Sequence, residues 1–218
     1  MKSLTSTDDT RLTKALLTCG ISAGPLYVIV GLIQMAIRPG FDITRHSLSL
    51  LANGALGWIQ ILNFLATGML LIAGAVGVKR ALPSGRGSKW GPLMLGLYGL
   101  GLMGAGIFSA DPALGFPPGT PLEHTPISWH GMLHFIVGTI GFSGFIASCI
   151  IFARRFKSLQ KPGWAWYSLI TGMLFLASFV GIASGSKGPV STFFAIAVVL
   201  GFTWISALLS SLKTGVGG

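Results

Sequence analysis

The sequence predicts an all-α integral membrane protein: one bundle of six spanning helices, both chain ends cytoplasmic, with a short amphipathic helix in the first outer loop. Three observations carry this. Hydrophobic residues make up 51% of the 218 and charged residues only 9%, against about 25% charged in soluble domains. The apolar residues fall into six runs, each near the roughly 20 residues a helix needs to cross a ~30 Å hydrocarbon core. The Lys and Arg residues cluster in every second connection between those runs.

A tail, 1–15, precedes the first span, 16–37. That run is too long for the apolar region of a signal peptide and ends in "MAIRPG" rather than at a small-residue cleavage site, so it is read as a retained helix. In the loop "RPGFDITRHSLSLLANG", Thr44 can cap a helix from Arg45 to Asn53 that Gly54 ends. His46, Ser49 and Asn53 would share one face and Leu48 and Leu51 another, as in a helix at the membrane surface or tucked over the bundle. The second span, 57–78, carries Gln60, Asn63 and Thr67 on one face, suited to interhelical hydrogen bonds or to lining a polar cavity. The third, 91–109, follows the basic, Pro/Gly/Ser-rich "KRALPSGRGSK" and stops at "FSADP", because Pro112 disfavours helix at the residue before it. The fourth, 129–153, follows "TPIS", with Ser128 as N-cap. The fifth, 164–183, follows "ARRFKSLQKPG", and the sixth, 189–212, follows the tight turn "SGSKGP". Residues 16–212 thus form a single transmembrane domain, with a second tail at 213–218.

Orientation follows from the basic residues. Twelve Lys and Arg lie in the two tails and in the second-to-third and fourth-to-fifth connections, against Arg38, Arg45 and Lys187 on the other side. The positive-inside rule places both ends in the cytoplasm. The net charge of +10 is accounted for by topology, and no nucleic-acid partner is expected. Cys19 and Cys149 suggest neither a disulfide nor a metal site. Glycines inside the spans, as in "GLYGLGLMGAG" and "GTIGFSG", permit close helix packing; a tight monomeric bundle is expected, and homo-oligomerisation through the same faces stays open.

The chemistry-bearing residues are sorted by side. Asp42, Asp111, Glu123 and all four histidines, His46, His124, His130 and His134, fall at the outer end. His130 and His134 differ by four residues, about 40° around a helix, and share a face one turn apart. The loop 110–128, stiffened by Pro117, Pro118 and Pro121, can return Asp111 over the start of the fourth helix. Intramembrane ionisable groups are costly and usually functional.

"FDITRHSLSLLANGALGWIQILNFLATGMLL", "FSADP" and "WHGMLH" together resemble the DUF998 family of six-span prokaryotic membrane proteins, a resemblance that covers nearly the whole chain and implies the fold and a place in the cytoplasmic (inner) membrane of a prokaryote but no activity. The outer cluster is similar in kind to the zinc site of the ceramidase and adiponectin-receptor superfamily, built from a Ser, an Asp and three His. That likeness implies Ser47 or Ser49, Asp111, His46, His130 and His134 as the set, although those proteins have seven spans and carry His-x-x-x-His on the last helix.

Three functions are open at this point. In a zinc-dependent hydrolase acting on a membrane lipid or amphiphile, His130 and His134 would hold the metal with His46 or Asp111 as third ligand, leaving a position for water. Asp111, Asp42 and Ser49 would supply catalytic groups, Glu123 a further carboxylate, and Arg45, Gln60, Asn63 and Trp129 substrate contacts. A non-enzymatic ligand-binding, pH-sensing or transport-accessory protein would use the same histidines as a proton switch. In a haem b protein, His46 would pair with one of the other two, since His130 and His134 on one face cannot both ligate one iron.

Overall fold

The computed structural model describes residues 7–123, 126–184 and 189–216. His124 and the centre of the "SGSKGP" turn lie outside them. The six helices are α1 (Thr7–Ile37), α2 (Gly57–Ala81), α3 (Trp90–Ile107), α4 (Trp129–Ser158), α5 (Pro162–Ala183) and α6 (Val190–Gly215), and no strand occurs among the described residues. All six are long and apolar enough to cross a membrane.

Two helices outrun their apolar segments. α1 begins at Thr7, inside the expected tail, with Asp8 and Asp9 in its first turn, where carboxylates suit the positive end of the helix dipole. Asp9 also meets Arg80 of α2 at 2.9 Å. α4 continues beyond residue 153 to Ser158 and ends on Arg155 and Lys157, the complementary arrangement at the negative end. Pro162 opens α5 at its first position, where a missing N–H costs nothing.

Consecutive helices pack side by side, and α6 returns to α1 to close the ring. Glycines set the distances. A Cβ on Gly20 of α1 would lie 2.7 Å from the Gly74 Cα of α2, one on Gly99 of α3 would lie 2.8 Å from the Gly68 carbonyl of α2, and one on Gly101 of α3 would lie 2.5 Å from the Gly141 Cα of α4. These backbones touch directly, so these span glycines are used within the chain. Inside the ring, Tyr98, Phe145, Phe152, Phe175, Phe202 and Trp204 fill the core. The Trp204 indole N–H donates to the Ser168 hydroxyl at 2.9 Å, giving the buried polar atom its partner.

The first outer loop differs from expectation. Only Leu48–Ala52 is helical, as a short 3₁₀ segment with Ser47 before it, and Leu50, Leu51 and Ala52 are buried. Thr44 does not cap it: its N–H and hydroxyl both donate to the Asp42 carboxylate, at 2.9 and 2.7 Å. The Asp42 turn ends further along, where the His46 N–H donates to the Asp42 carbonyl at 2.7 Å, so His46, Ser49 and Asn53 never line up on a regular helix. The loop is folded down as a plug against Ala110 and Phe116.

The glycine contacts generate a prediction. Gly101→Ala should destabilise the detergent-purified protein by about 1–3 kcal/mol through overpacking. Gly138→Ala, where a Cβ meets nothing within 4 Å, should be neutral or slightly stabilising. Thermal unfolding of the two variants checks the difference.

Candidate functional site at the histidine end

α3 ends at Ile107 and α4 starts at Trp129, and Asp111 ties the two together. Its Oδ2 accepts the Ser128 N–H at 2.7 Å and its Oδ1 accepts the Ser128 hydroxyl at 2.5 Å. Having donated its one proton there, the Ser128 oxygen accepts from the Gly131 N–H at 3.1 Å, as the expected N-cap of α4, and from His130 Nδ1 at 3.1 Å. His130 Nδ1 also stands 3.6 Å from Asp111 Oδ1. A carboxylate at this point lies on the positive end of α4. The approach requires Gly131, since a Cβ there would fall 2.1 Å from Asp111 Oδ2. Burial opposes ionisation of Asp111, yet the two Ser128 bonds and His130 outweigh it and hold the carboxyl below the usual aspartate range. Ser128 is fully committed to capping and is no free nucleophile.

One turn on, His134 is buried, and its Nδ1–H donates to the Phe108 carbonyl at 2.7 Å and the Ala105 carbonyl at 3.3 Å. It thereby satisfies the last turn of α3, whose terminal carbonyls have no helical partner. His130 remains half-exposed, and the exposed Trp129 ring packs edge-on against it at 5.4 Å.

His46 belongs to a different cluster. Its Nδ1 accepts the Asp42 N–H at 3.0 Å and its Nε2–H donates to the Leu114 carbonyl at 3.0 Å, so both ring nitrogens are engaged by backbone. Its ring stands 5.5 Å from those of Phe41 and Phe116. The expected three-ligand centre does not assemble: the described residues contain no group of three or more His, Cys, Asp or Glu that could hold a metal ion. Nor do the remaining candidates join the Asp111 cluster by any hydrogen bond. Ser49 and Ser47 bond each other at 2.9 Å, Asp42 holds Thr44 and Glu123 is exposed in the loop. Gln60 and Asn63 are buried between α1 and α2. There Gln34 Nε2 donates to Gln60 Oε1 at 2.7 Å, Asn63 Nδ2 donates to the Tyr27 carbonyl at 3.2 Å, and Thr67 donates to Asn63 at 3.4 Å. Their interhelical role is the simpler of the two expectations.

Residue-by-residue reading missed Arg38, Phe116 and Gln34. Arg38 is buried, donates to the carbonyls of Leu51 (2.9 Å) and Asn53, and sits 5.2 Å from the centre of the Phe116 ring. Its signal was an arginine at the end of an apolar run on the side poor in cations. The signal for Gln34 was a lone amide within an otherwise apolar face of the first span.

A second feature opens sideways. α1 and α6 touch at Gly24, where a Cβ would stand 2.8 Å from the Phe202 Cβ. They then splay towards the histidine end, where a Cβ on Gly31 would meet nothing within 4 Å. The space between them is a groove of about 270 Å³, walled by Tyr27, Gly31 and Met35 of α1 and by Ala195, Ile196 and Val199 of α6, with Ile43 and Leu48 of the outer loop above. Two bonds pin the loop over it: Thr192 donates to the Ile43 carbonyl and Ser191 to the Arg45 carbonyl, both at 3.2 Å. Arg45 itself is exposed and donates to the Leu114 carbonyl at 3.2 Å.

The fold and these sites define a multi-pass membrane protein with six spans. Residues 21–211 match the family described as "Protein of unknown function (DUF998)", and the chain belongs to it. No curated protein and no solved structure matches the chain.

The Asp111 clamp makes a pH prediction. Because the folded state holds this carboxyl below its ordinary value of 3.8, its contribution is fully present above that value and is lost as pH falls through the lower, folded one. Asp111→Asn should therefore destabilise the protein near neutrality by about 1.5–3 kcal/mol, the range for hydrogen bonds to a charged group. The gap to the unaltered protein should close below the ordinary value. Thermal melts across an acid pH series check both points.

Proposed function

We propose that this protein binds a membrane amphiphile from the outer half of the bilayer without turning it over chemically. The α1–α6 groove carries the reading. Its exposed surface is almost wholly apolar, it opens to the side of the bundle where lipid tails lie, and its volume is just below the roughly 300–1,000 Å³ of pockets for drug-sized molecules. That suits one acyl chain. Arg45, above the groove at the aqueous edge, offers a cation to an acidic head. The excess of basic residues at the opposite end supports a cytoplasmic location for both chain ends, in the cytoplasmic membrane of a prokaryote.

Zinc hydrolysis is the less supported reading. His130 and His134 would need a third ligand, no described residue completes such a set, and His46 would have to give up a backbone bond to join. The same two bonds count against His46 as an axial haem ligand.

The test is binding of a fluorescent single-chain fatty acid to the full chain in detergent. Gly31→Leu, whose Cβ would meet nothing within 4 Å, would extend a side chain into the groove, and retention should fall by roughly tenfold, about 1.4 kcal/mol, with the melting curve unchanged. Chelation should leave binding unaffected. Equal retention by Gly31→Leu would refute the groove, and release of a cleaved product that chelation abolishes would return the hydrolase.

A further inference from the structure

The opposite end of the bundle carries a cleft of about 780 Å³ between the start of α3 and the end of α4, lined by Arg86, Trp90, Arg154 and Lys157 among others. Topology alone requires cations on this side, but it does not require them to converge. Arg86 lies on a turn held in place: Gly85 and Gly87 on either side adopt positive φ (91° and 79°), and the Arg155 guanidinium donates to the Arg86 carbonyl at 2.8 Å. Lys79 reaches the same loop, donating to the Ser88 carbonyl at 3.5 Å.

Among the described residues no carboxylate pairs with Arg86, Arg154 or Lys157. The acidic side chains of the chain number five, Asp8, Asp9, Asp42, Asp111 and Glu123, and the ion pairs seen among the described residues are Asp9–Arg80 and Asp111–His130. All three are exposed. Like charges gathered at one cleft repel unless an anion joins them. Trp90 is exposed at the lip, with the Lys89 ammonium 5.6 Å from its ring centre, and tryptophan settles at headgroup depth.

We infer that this cleft is a binding site for the phosphate of an anionic phospholipid, held by Arg86, Arg154 and Lys157 with Trp90 against the glycerol region. Basic pockets between spanning helices on the cytoplasmic side suit such headgroups. The site lies at the far end of the bundle from the α1–α6 groove and is independent of it.

Native mass spectrometry of the detergent-purified full chain tests this, with dioleoylphosphatidylglycerol against dioleoylphosphatidylcholine. The phosphatidylglycerol adduct should dominate. The pair Arg86→Gln/Arg154→Gln should cut that preference by tenfold or more, at about fivefold per lost cation. Arg86→Lys/Arg154→Lys, which keeps the charge, should retain most of it. Equal retention of the two lipids, or an unchanged preference in the Gln pair, would overturn the site. Displacement of the lipid by an equal concentration of inorganic phosphate would overturn the lipid assignment in favour of a free anion.

Discussion

Between helices in a membrane, apolar side chains gain nothing by leaving lipid for one another, so association depends on how closely backbones can approach. This bundle meets that condition through glycines facing each other across three successive interfaces, α1–α2, α2–α3 and α3–α4. Everything at the histidine end inherits its geometry from those contacts. Gly101 against Gly141 sets α3 beside α4, which brings the carboxylate following α3 onto the first N–H groups of α4. His134 can then close the last turn of α3, because its ring lies within one hydrogen bond of two of that helix's carbonyls. The clamp is polar, but its precision is the precision of packing.

The second requirement is that no backbone group be left bare where water is scarce. The outer loop, which has little regular structure, meets it with side chains. Arg38 takes two carbonyls, His46 takes one N–H and one carbonyl, and Asp42 takes an N–H. This explains why ionisable residues concentrate here without forming one centre: each is spent on the nearest irregular backbone. The polar row between α1 and α2 is less complete, with Gln34 Oε1 and Gln60 Nε2 buried and unpartnered.

The spans were legible in the sequence because apolar length and Lys/Arg punctuation are one-dimensional signals. Their ends were less so. α1 begins well before the apolar run, since charged residues such as Asp8 and Asp9 favour a helix start as much as water. The Asp111–Ser128 contact was also legible, because a proline-stiffened loop joins a helix end to a cap residue. What sequence could not supply was the competition for each histidine. His46 and His130 are alike as residues, yet one has both nitrogens bound to backbone and the other remains half-exposed, a difference decided by the fold of residues 41–54 and by the Leu114 carbonyl. The groove was equally hidden. It arises from divergence of α1 and α6, and Gly31 looks like any packing glycine until the helix opposite is known to be far away.

The divergence has a consequence for assembly. Five of the six helix contacts in the ring join neighbours in the chain, whereas the α1–α6 seam joins the first span to the sixth. The groove therefore has no second wall until the sixth span has entered the membrane, and until then the α1 face bearing Gly24, Tyr27 and Gly31 is open to bilayer. The ring closes last at a seam that splays towards the histidine end, and lipid lies against that face up to the moment of closure. On the proposed reading of the groove, occupancy would be coupled to completion of the fold: an acyl chain already lying along α1 would become part of the seam as α6 docks, and a tail captured in this way would have to leave by the side it came from.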